Sequence, residues 1–377
     1  MVKVGFFVGE FPFSIEKYIT DEIDSLSSIG IQPFIFYERK CPLKKYSHFE
    51  IESDISIWKS LKSLNGLFEE SNFLKALKKS AEIFDDESVF AMATKASLIV
   101  KNKKIEILNG YSPKFYNVAM ITSWITNIPF GISILTPEHL SNTRETEIIL
   151  KEASFVVVYS DRILKDLKEL GFFDTDKVLR VFPGFTPLES SIKKSGKVCL
   201  VYYRRDLIEK ILKIYPPEKI LLVQEEKVFN IKGEIEKIEK SDLSNFIENL
   251  ELIIYSNLPP MDNMFRLENR LLRKALFYGI PVLIFGSFKE GNNIEKILKN
   301  FIRSEVNFES VLLKVIEDEK FRKKIISEGK EIASALFDLQ RNANLLKGLF
   351  ERTLIEKNEN NSMDRWLKRG RKLPRKN

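Results

Sequence analysis

Short apolar runs alternate along the chain with stretches in which apolar residues recur every three or four positions. The first run covers residues 2–9, and Ile15, Ile19, Ile23 and Leu26 then mark one face of a helix. Gly30 stops that helix and residues 33–37 form the next run, so the chain opens as a strand, helix, strand unit of the parallel type. The pattern predicts further strands at 105–108, 128–134, 153–160 and 178–182, with helices at 115–126 and 161–170. Residues 53–104 read as mostly helical. A polar stretch with Pro, Ser and Lys, 186–197, then reads as a linker. Beyond it, strands are predicted at 197–203, 219–224, 250–255 and 281–285. Leu267, Leu271, Leu272, Ala275 and Leu276 outline a helix that Gly279 stops, with Pro281 two residues on. More helices are expected at 242–249, 306–316, 318–333 and 342–351. Unalternating apolar runs of this length are the mark of strands buried on both faces.

The fold class read from this order is α/β, with two doubly wound domains. In such sheets the loops at the carboxyl ends of the strands line the ligand crevice. The loops 256–263 and 286–293 are therefore the first places to look for a site. The opening unit lacks the G-x-G-x-x-G fingerprint, which argues against a dinucleotide site.

Charge changes the picture only at one end. The formal net charge is +7, yet residues 357–377 alone hold eight Lys/Arg against two Asp/Glu. The body is near neutral, so a specific nucleic-acid-binding domain is not expected. No apolar run is long enough to span a bilayer, and the N-terminus does not read as a signal peptide, so a cytoplasmic protein is expected. The two cysteines, Cys41 and Cys199, are expected as free thiols, and with His48 and His139 they match no zinc spacing. Residues 357–362 carry three Asn and no apolar side chain and read as disordered. Residues 363–376 then set Trp366, Leu367 and Leu373 among seven basic residues, a pattern suited to weak contact with an anionic membrane, with nonspecific RNA contact or a solubilising tail as alternatives.

Several stretches resemble the nucleotide-sugar glycosyltransferases called group 1 or family 4. Phe11-Pro12, Ser14, Glu16, Tyr18-Ile19, Glu22-Ile23, Leu26 and Gly30 resemble that family's opening helix, and Leu276 to Val282 resembles its Gly-x-Pro-Val turn. The likeness runs over roughly residues 1–351. It implies the GT-B architecture: an acceptor-side domain, 1–185; the linker, 186–197; a donor-binding domain, 198–335; a helix crossing back, 336–356; and the basic tail, 357–377. It also implies transfer of a sugar from a nucleotide sugar to a glycan or lipid-linked acceptor of the cell envelope, at the inner face of the membrane. No metal or other cofactor is expected. A non-catalytic relative that binds a sugar nucleotide or a partner enzyme is the alternative.

The resemblance assigns roles by position. Arg204 or Arg205, with Lys210, would hold the donor diphosphate. The family's two glutamates fall at Arg266 and Lys274, so the donor ribose is not expected to meet the usual carboxylate. Arg266, Arg270 and Lys274 lie within about 80° of one another on a helical wheel and are expected on the cleft side. Glu268 is expected at the helix mouth, where it suits the helix dipole and could reach donor hydroxyls. Gly279 belongs to the same donor segment. Gly9, Ser14, Glu16 and Asn109 would form the acceptor-side loops, with Ser14 able to cap the first helix. The family's functional histidine falls at Leu135. Glu138, in the loop after the strand at 128–134, is the local candidate for a general base, with a solvated loop carboxylate as the alternative.

Overall fold

The computed structural model describes every residue except 40–42, 52–69, 85, 141–143, 173–175, 186–196, 202–204, 215–218, 225–226, 231–234, 237–246, 248–249, 257–262, 286–301, 304–306 and 371–377. For residues 13, 70–71, 205, 219, 224, 227–230, 235–236, 302–303 and 360–370 it describes the backbone alone. Cys41, Arg204, the linker 186–196, the helix expected at 242–249 and the loop 286–293 thus lie wholly or largely outside the described residues.

The first sheet contains β1 (Val2–Phe7), β2 (Ile31–Tyr37), β3 (Ser47–Glu50), β4 (Ile107–Gly110), β5 (Phe130–Ile134), β6 (Phe155–Val158) and β7 (Val178–Arg180). Its order is β3-β2-β1-β4-β5-β6-β7, and every pairing is parallel. Parallel strands need crossovers, and helices supply them: α1 (Phe13–Ser28), α2 (Glu70–Ile83), α3 (Glu87–Lys103), α4 (Pro113–Thr126), α5 (Arg144–Glu152) and α6 (Asp161–Glu169). Two separate apolar clusters, one on each face, make the sheet doubly wound. Phe7, Phe36, Leu108 and Ile132 pack with α3 and α4 on one face, and Phe6, Ile35, Ile107 and Val157 pack with α1 on the other. This two-sided burial is why the strands read as unbroken apolar runs.

The second sheet has the order β11-β10-β9-β8-β12-β13-β14. Its centre is parallel: β8 (Lys197–Val201), β9 (Lys219–Gln224), β12 (Leu252–Tyr255) and β13 (Val282–Phe285). β14 (Ile302–Arg303) continues it, and α7 (Arg205–Ile214), α8 (Leu267–Tyr278), α9 (Phe308–Glu317) and α10 (Glu319–Phe337) follow the expected order. One edge differs from the sequence reading. β10 (Lys227–Asn230) and β11 (Ile235–Glu236) run antiparallel there, in a stretch too short and too charged to signal strands. Both domains match the expected α/β class.

Two chain crossings join the domains and run side by side. Phe185 donates its backbone N–H to Phe337 O at 2.8 Å, and Asn342 Nδ2 donates to Phe182 O at 2.6 Å. Gly184 sits so close to the second crossing that a Cβ would lie 2.7 Å from Leu339 N. The chain then enters α11 (Leu339–Gly370), whose Ala343, Leu346 and Phe350 are buried in the cluster that holds α1. The final helix therefore packs on the first domain's cluster. It also runs on through 357–362 to Gly370, where the sequence predicts disorder, and its 32 residues extend about 48 Å. Among the described residues no helix is long and apolar enough to cross a membrane.

Candidate active site between the domains

The carboxyl ends of the first-domain strands and the α8 face of the second domain meet at a seam. Ser14, Lys17, Tyr18 and Asp21 of α1 line one wall of a small cavity, and Phe265, Arg270, Arg273 and Lys274 line the other. Pro183, Gly184 and Phe185 of the first crossing close its side. The Tyr18 and Phe265 rings meet edge to face across the seam, with centroids 5.4 Å apart. Phe265, a residue of the second domain, is thereby buried in the first domain's apolar cluster.

α8 places its charges unevenly. Arg266 is the N-cap residue and its Nε lies 3.8 Å from Glu268 Oε2; Glu268 itself is fully buried in the first turn. Arg270 is half-buried and Lys274 is 7% exposed, both at the cavity. The Lys274 ammonium lies 5.3 Å from the Phe185 ring centroid. Burial, with repulsion from Arg270 and Lys17, pushes Lys274 down to about 8. Gly279 ends the helix in the left-handed region at φ 78°, packed against Lys330 and Ile326 of α10. The Leu271 and Ala275 side chains turn into the core, as the wheel predicts.

Arg205 begins α7 immediately past the carboxyl end of β8, and Lys210 is half-buried on the same helix. In the first domain, Gly9 follows β1 so tightly that a Cβ would lie 2.7 Å from Ser112 Oγ. Ser14 stands within α1 rather than at its cap: Pro12 holds the N-cap position, and no side chain caps the helix. Glu16 lies half-buried in the first turn of α1. Asn109 is a strand residue, not a loop residue. It lies in β4, fully buried, and its Nδ2 donates to Ser133 Oγ of β5 at 3.0 Å.

Beyond β5, Leu135 is buried and Glu138 is exposed on a 3₁₀ turn, Pro137–His139. His139 is half-buried, its Nδ1 3.2 Å from Tyr116 Oη and its ring 6.0 Å from that of Phe11. Burial lowers its pKa, and the Glu138 charge opposes that only in part. His48, by contrast, is exposed on β3. Cys199 is buried in β8, a free thiol whose pKa burial drives up.

Two buried ionisable side chains beside the seam have no role assigned from the sequence, although Glu22 lies within the opening motif. Glu22, on α1, is fully buried and accepts hydrogen bonds from the phenols of Tyr18, Tyr111 (2.7 Å) and Tyr159 (3.0 Å). Burial raises its pKa, while the three phenols pull the other way. Arg273, on α8, donates to the carbonyls of Pro183, Met264 and Asn269, and its guanidinium lies over the rings of Phe185 and Phe337. Each breaks an apolar helical stripe: Glu22 is three residues from Ile19 and four from Leu26, and Arg273 is three from Leu276. A charge in such a stripe is the signal that could have found them. Among the described residues no group of three or more His, Cys, Asp or Glu comes together as a metal site.

No protein-family model and no curated protein matches the chain. Solved structures do. A glycosyltransferase from Rickettsia africae superposes with a TM-score of 0.59 at 16% identity, over 94% of this chain and 98% of that one. Sucrose-phosphate synthase from Thermosynechococcus elongatus gives 0.57 at 12% identity, over 94% and 100%. HepE of Anabaena, solved with UDP and glucose, gives 0.54 at 14% identity, over 92% and 100%. The likeness spans both domains and the crossings between them, so the chain has the two-domain GT-B fold of these structures.

Proposed function

We propose that the protein is a glycosyltransferase that moves a sugar from a nucleotide-sugar donor to an acceptor hydroxyl in the cleft between its domains. The observation that carries this reading is the seam itself: cations of α8 face the opening helix of the other domain, in a fold whose solved examples include HepE bound to UDP-glucose. Fold alone does not dictate function, but an anionic donor needs convergent positive charge, and this cleft supplies it.

In the proposed reaction the bond from the sugar's anomeric carbon to the diphosphate oxygen breaks. A bond to the acceptor oxygen forms, and the acceptor's proton leaves to a phosphate oxygen or to a carboxylate. Arg204 or Arg205, with Lys210, neutralises the departing nucleoside diphosphate, which is where charge develops. Arg266, Arg270, Lys274 and Glu268 border the donor, beside the segment that Gly279 ends. Gly9, Ser14, Glu16 and Asn109 form or support the acceptor side, and Glu138 is the carboxylate available there as a base. The acceptor is read as an envelope glycan or lipid-linked intermediate, met at the cytoplasmic face of the membrane.

A thermal-shift screen of nucleoside diphosphates and their sugars, followed by transfer and hydrolysis assays on each hit, tests the reading. Saturation near one hundred times Kd should add about 2.7 kcal/mol of stability. Binding with no turnover toward any acceptor would instead identify a non-catalytic sugar-nucleotide binder, an outcome that the basic residues at 266 and 274 make worth measuring. Alanine at the diphosphate-contacting arginine, 204 or 205, should weaken nucleoside diphosphate binding at least tenfold, in line with roughly 1.5–3 kcal/mol for one charge-assisted bond. Nucleoside binding should stay the same. Equal diphosphate affinity in the Arg204→Ala, Arg205→Ala and Lys210→Ala chains would remove this assignment.

Membrane contact is assigned to the end of α11 and the residues beyond it. Each Lys or Arg near an anionic leaflet contributes about 1 kcal/mol, and salt screens it. The full chain should sediment with anionic vesicles at low salt and leave them at high salt, and a chain ending at Lys357 should not sediment. Equal binding by the shortened chain would place the contact elsewhere.

A further inference from the structure

We propose that His139 takes the proton of the acceptor hydroxyl, through an Nε2 lone pair that the Tyr116 phenol keeps open by fixing the other ring nitrogen. The assignment rests on the transfer reading above. It does not come from the family resemblance, which puts its histidine at Leu135, four residues earlier.

Local backbone structure places the ring. β5 ends at Ile134, and the chain then makes the single turn Pro137–His139. His139 N donates to Thr136 O at 3.1 Å and Leu140 N donates to Pro137 O at 2.9 Å, which holds that turn closed. It lies past the carboxyl end of an inner strand of the first sheet, the side on which a doubly wound sheet keeps its crevice. The Phe11 ring, from the loop that follows β1, lies beside the imidazole with centroids 6.0 Å apart.

Hydrogen bonds select the tautomer. Tyr116 donates its one phenol proton to Ser133 O at 2.9 Å. Its oxygen therefore meets Nδ1, 3.2 Å away, as an acceptor, and Nδ1 carries the hydrogen. Tyr116 is buried, so this edge of the imidazole faces the domain interior. Nε2 lies on the opposite edge of a half-buried ring, and among the described residues no group bonds to it. Burial lowers the His139 pKa, so the ring is neutral near pH 7 and Nε2 can accept a proton. Glu138, on the same turn, pulls the other way and favours the imidazolium that proton transfer creates. α6, another helix packed against the turn, carries Asp161 and Arg162 in its first turn, engaged by Arg180 and Asp166 respectively.

His139 thus replaces Glu138 as the base, and Glu138 supports it. The acceptor's O–H bond breaks to Nε2 while its oxygen bonds to the anomeric carbon. The bond from that carbon to the diphosphate oxygen breaks, and the nucleoside diphosphate leaves with the electron pair. The imidazolium then gives its proton to water.

Two measurements on the full chain test this. The chain has two histidines, so His48→Gln leaves one imidazole to follow by nitrogen NMR. At about pH 7 that ring should be neutral, with Nδ1 protonated and Nε2 bare, and it should become charged only below the ordinary histidine value of about 6.5. Tyr116→Phe should let the hydrogen move towards Nε2. A ring already protonated at Nε2, or charged at about pH 7, overturns the proposal. With the donor and acceptor found by the screen above, His139→Gln should lower kcat by about a hundredfold or more, the usual share of one general base. The donor KM should stay nearly unchanged. The fall of kcat/KM on the acid side should vanish in that variant, and Tyr116→Phe should lower kcat by a smaller factor. Unchanged kcat in His139→Gln overturns the base and leaves the transfer reading standing. A chain with the stated tautomer that binds the donor but transfers to no acceptor overturns both.

Discussion

Replacing Arg273 with alanine should lower the free energy of unfolding by about 3–5 kcal/mol, a large part of a typical protein's margin. Arg273 is among the largest fully buried side chains described, at 1% exposure. Its loss leaves a cavity between Phe185 and Phe337 and removes the donors from Pro183 O and Met264 O. Each carbonyl left dry costs about 1–3 kcal/mol. One effect opposes this. Burial and the neighbouring Arg270 hold the Arg273 pKa down to about 9, so removing the charge relieves a real desolvation cost. The contacts should still win, because alanine restores neither the volume nor the bonds. Arg273→Met separates the two losses: it refills most of the space and leaves the carbonyls without their donor, so it should fall between alanine and the unmodified chain. Denaturant unfolding measures all three. An Arg273→Met chain as stable as the unmodified protein would show that the guanidinium does not clamp the crossings.

The contrast between Leu271 and Arg273 shows where sequence reasoning stops. Leu271 sits on the face the wheel assigns to the core, and it is there. Local periodicity suffices because its partners are the apolar strands, which announce themselves. Arg273 reads as one more cation on a basic helix, yet its Nη1 acceptor, Pro183 O, lies 90 residues away. Glu22 is similar: Tyr111 and Tyr159, which hold it, are 89 and 137 residues distant. The parallel order β1-β4-β5-β6 brings them together, because the residues just past β4 and β6 emerge on the same sheet edge. Parallel buried strands were legible as apolar runs. The β10–β11 edge was not, because a two-residue strand such as Ile235–Glu236 has no room for a period. The candidate site was legible on α8, where Arg270 and Lys274 reach the seam, and less so on α1. There Ser14 was read as a cap, while Lys17 and Tyr18, two further residues of the same wall, carry no motif that ties them to a cleft.

Replacing Glu22 with leucine should cost at least about 3 kcal/mol, because it leaves three buried phenols without their acceptor at about 1–3 kcal/mol each. The pH dependence identifies the group. Burial raises the folded-state pKa of Glu22, against an unfolded value of about 4.3. The folded state therefore holds more protons than the unfolded one between those two values. The contribution of this group is full below about pH 4.3 and is lost as pH rises through the folded pKa. Glu22→Gln imitates the protonated acid without titrating, although its single amide oxygen cannot serve the phenols as two carboxyl oxygens do. The stability advantage of the unmodified chain over Glu22→Gln should thus shrink as pH rises from about 4.3, the reverse of an ordinary surface carboxylate. Hydrogen bonding can be told from packing by removing both sides of it. Tyr18→Phe, Tyr111→Phe and Tyr159→Phe together, placed on Glu22→Leu, should recover most of the loss, since replacing both partners of a buried bond with apolar groups is nearly neutral. The Tyr18 ring stacks edge-on to Phe265, so the restored chain should also regain the seam. Denaturant unfolding at several pH values measures each variant. A gap between the unmodified chain and Glu22→Gln that widens with pH would mean that the phenols outweigh burial and hold the carboxylate ionised. Failure of the three phenylalanines to restore stability would mean that Glu22 matters through its shape.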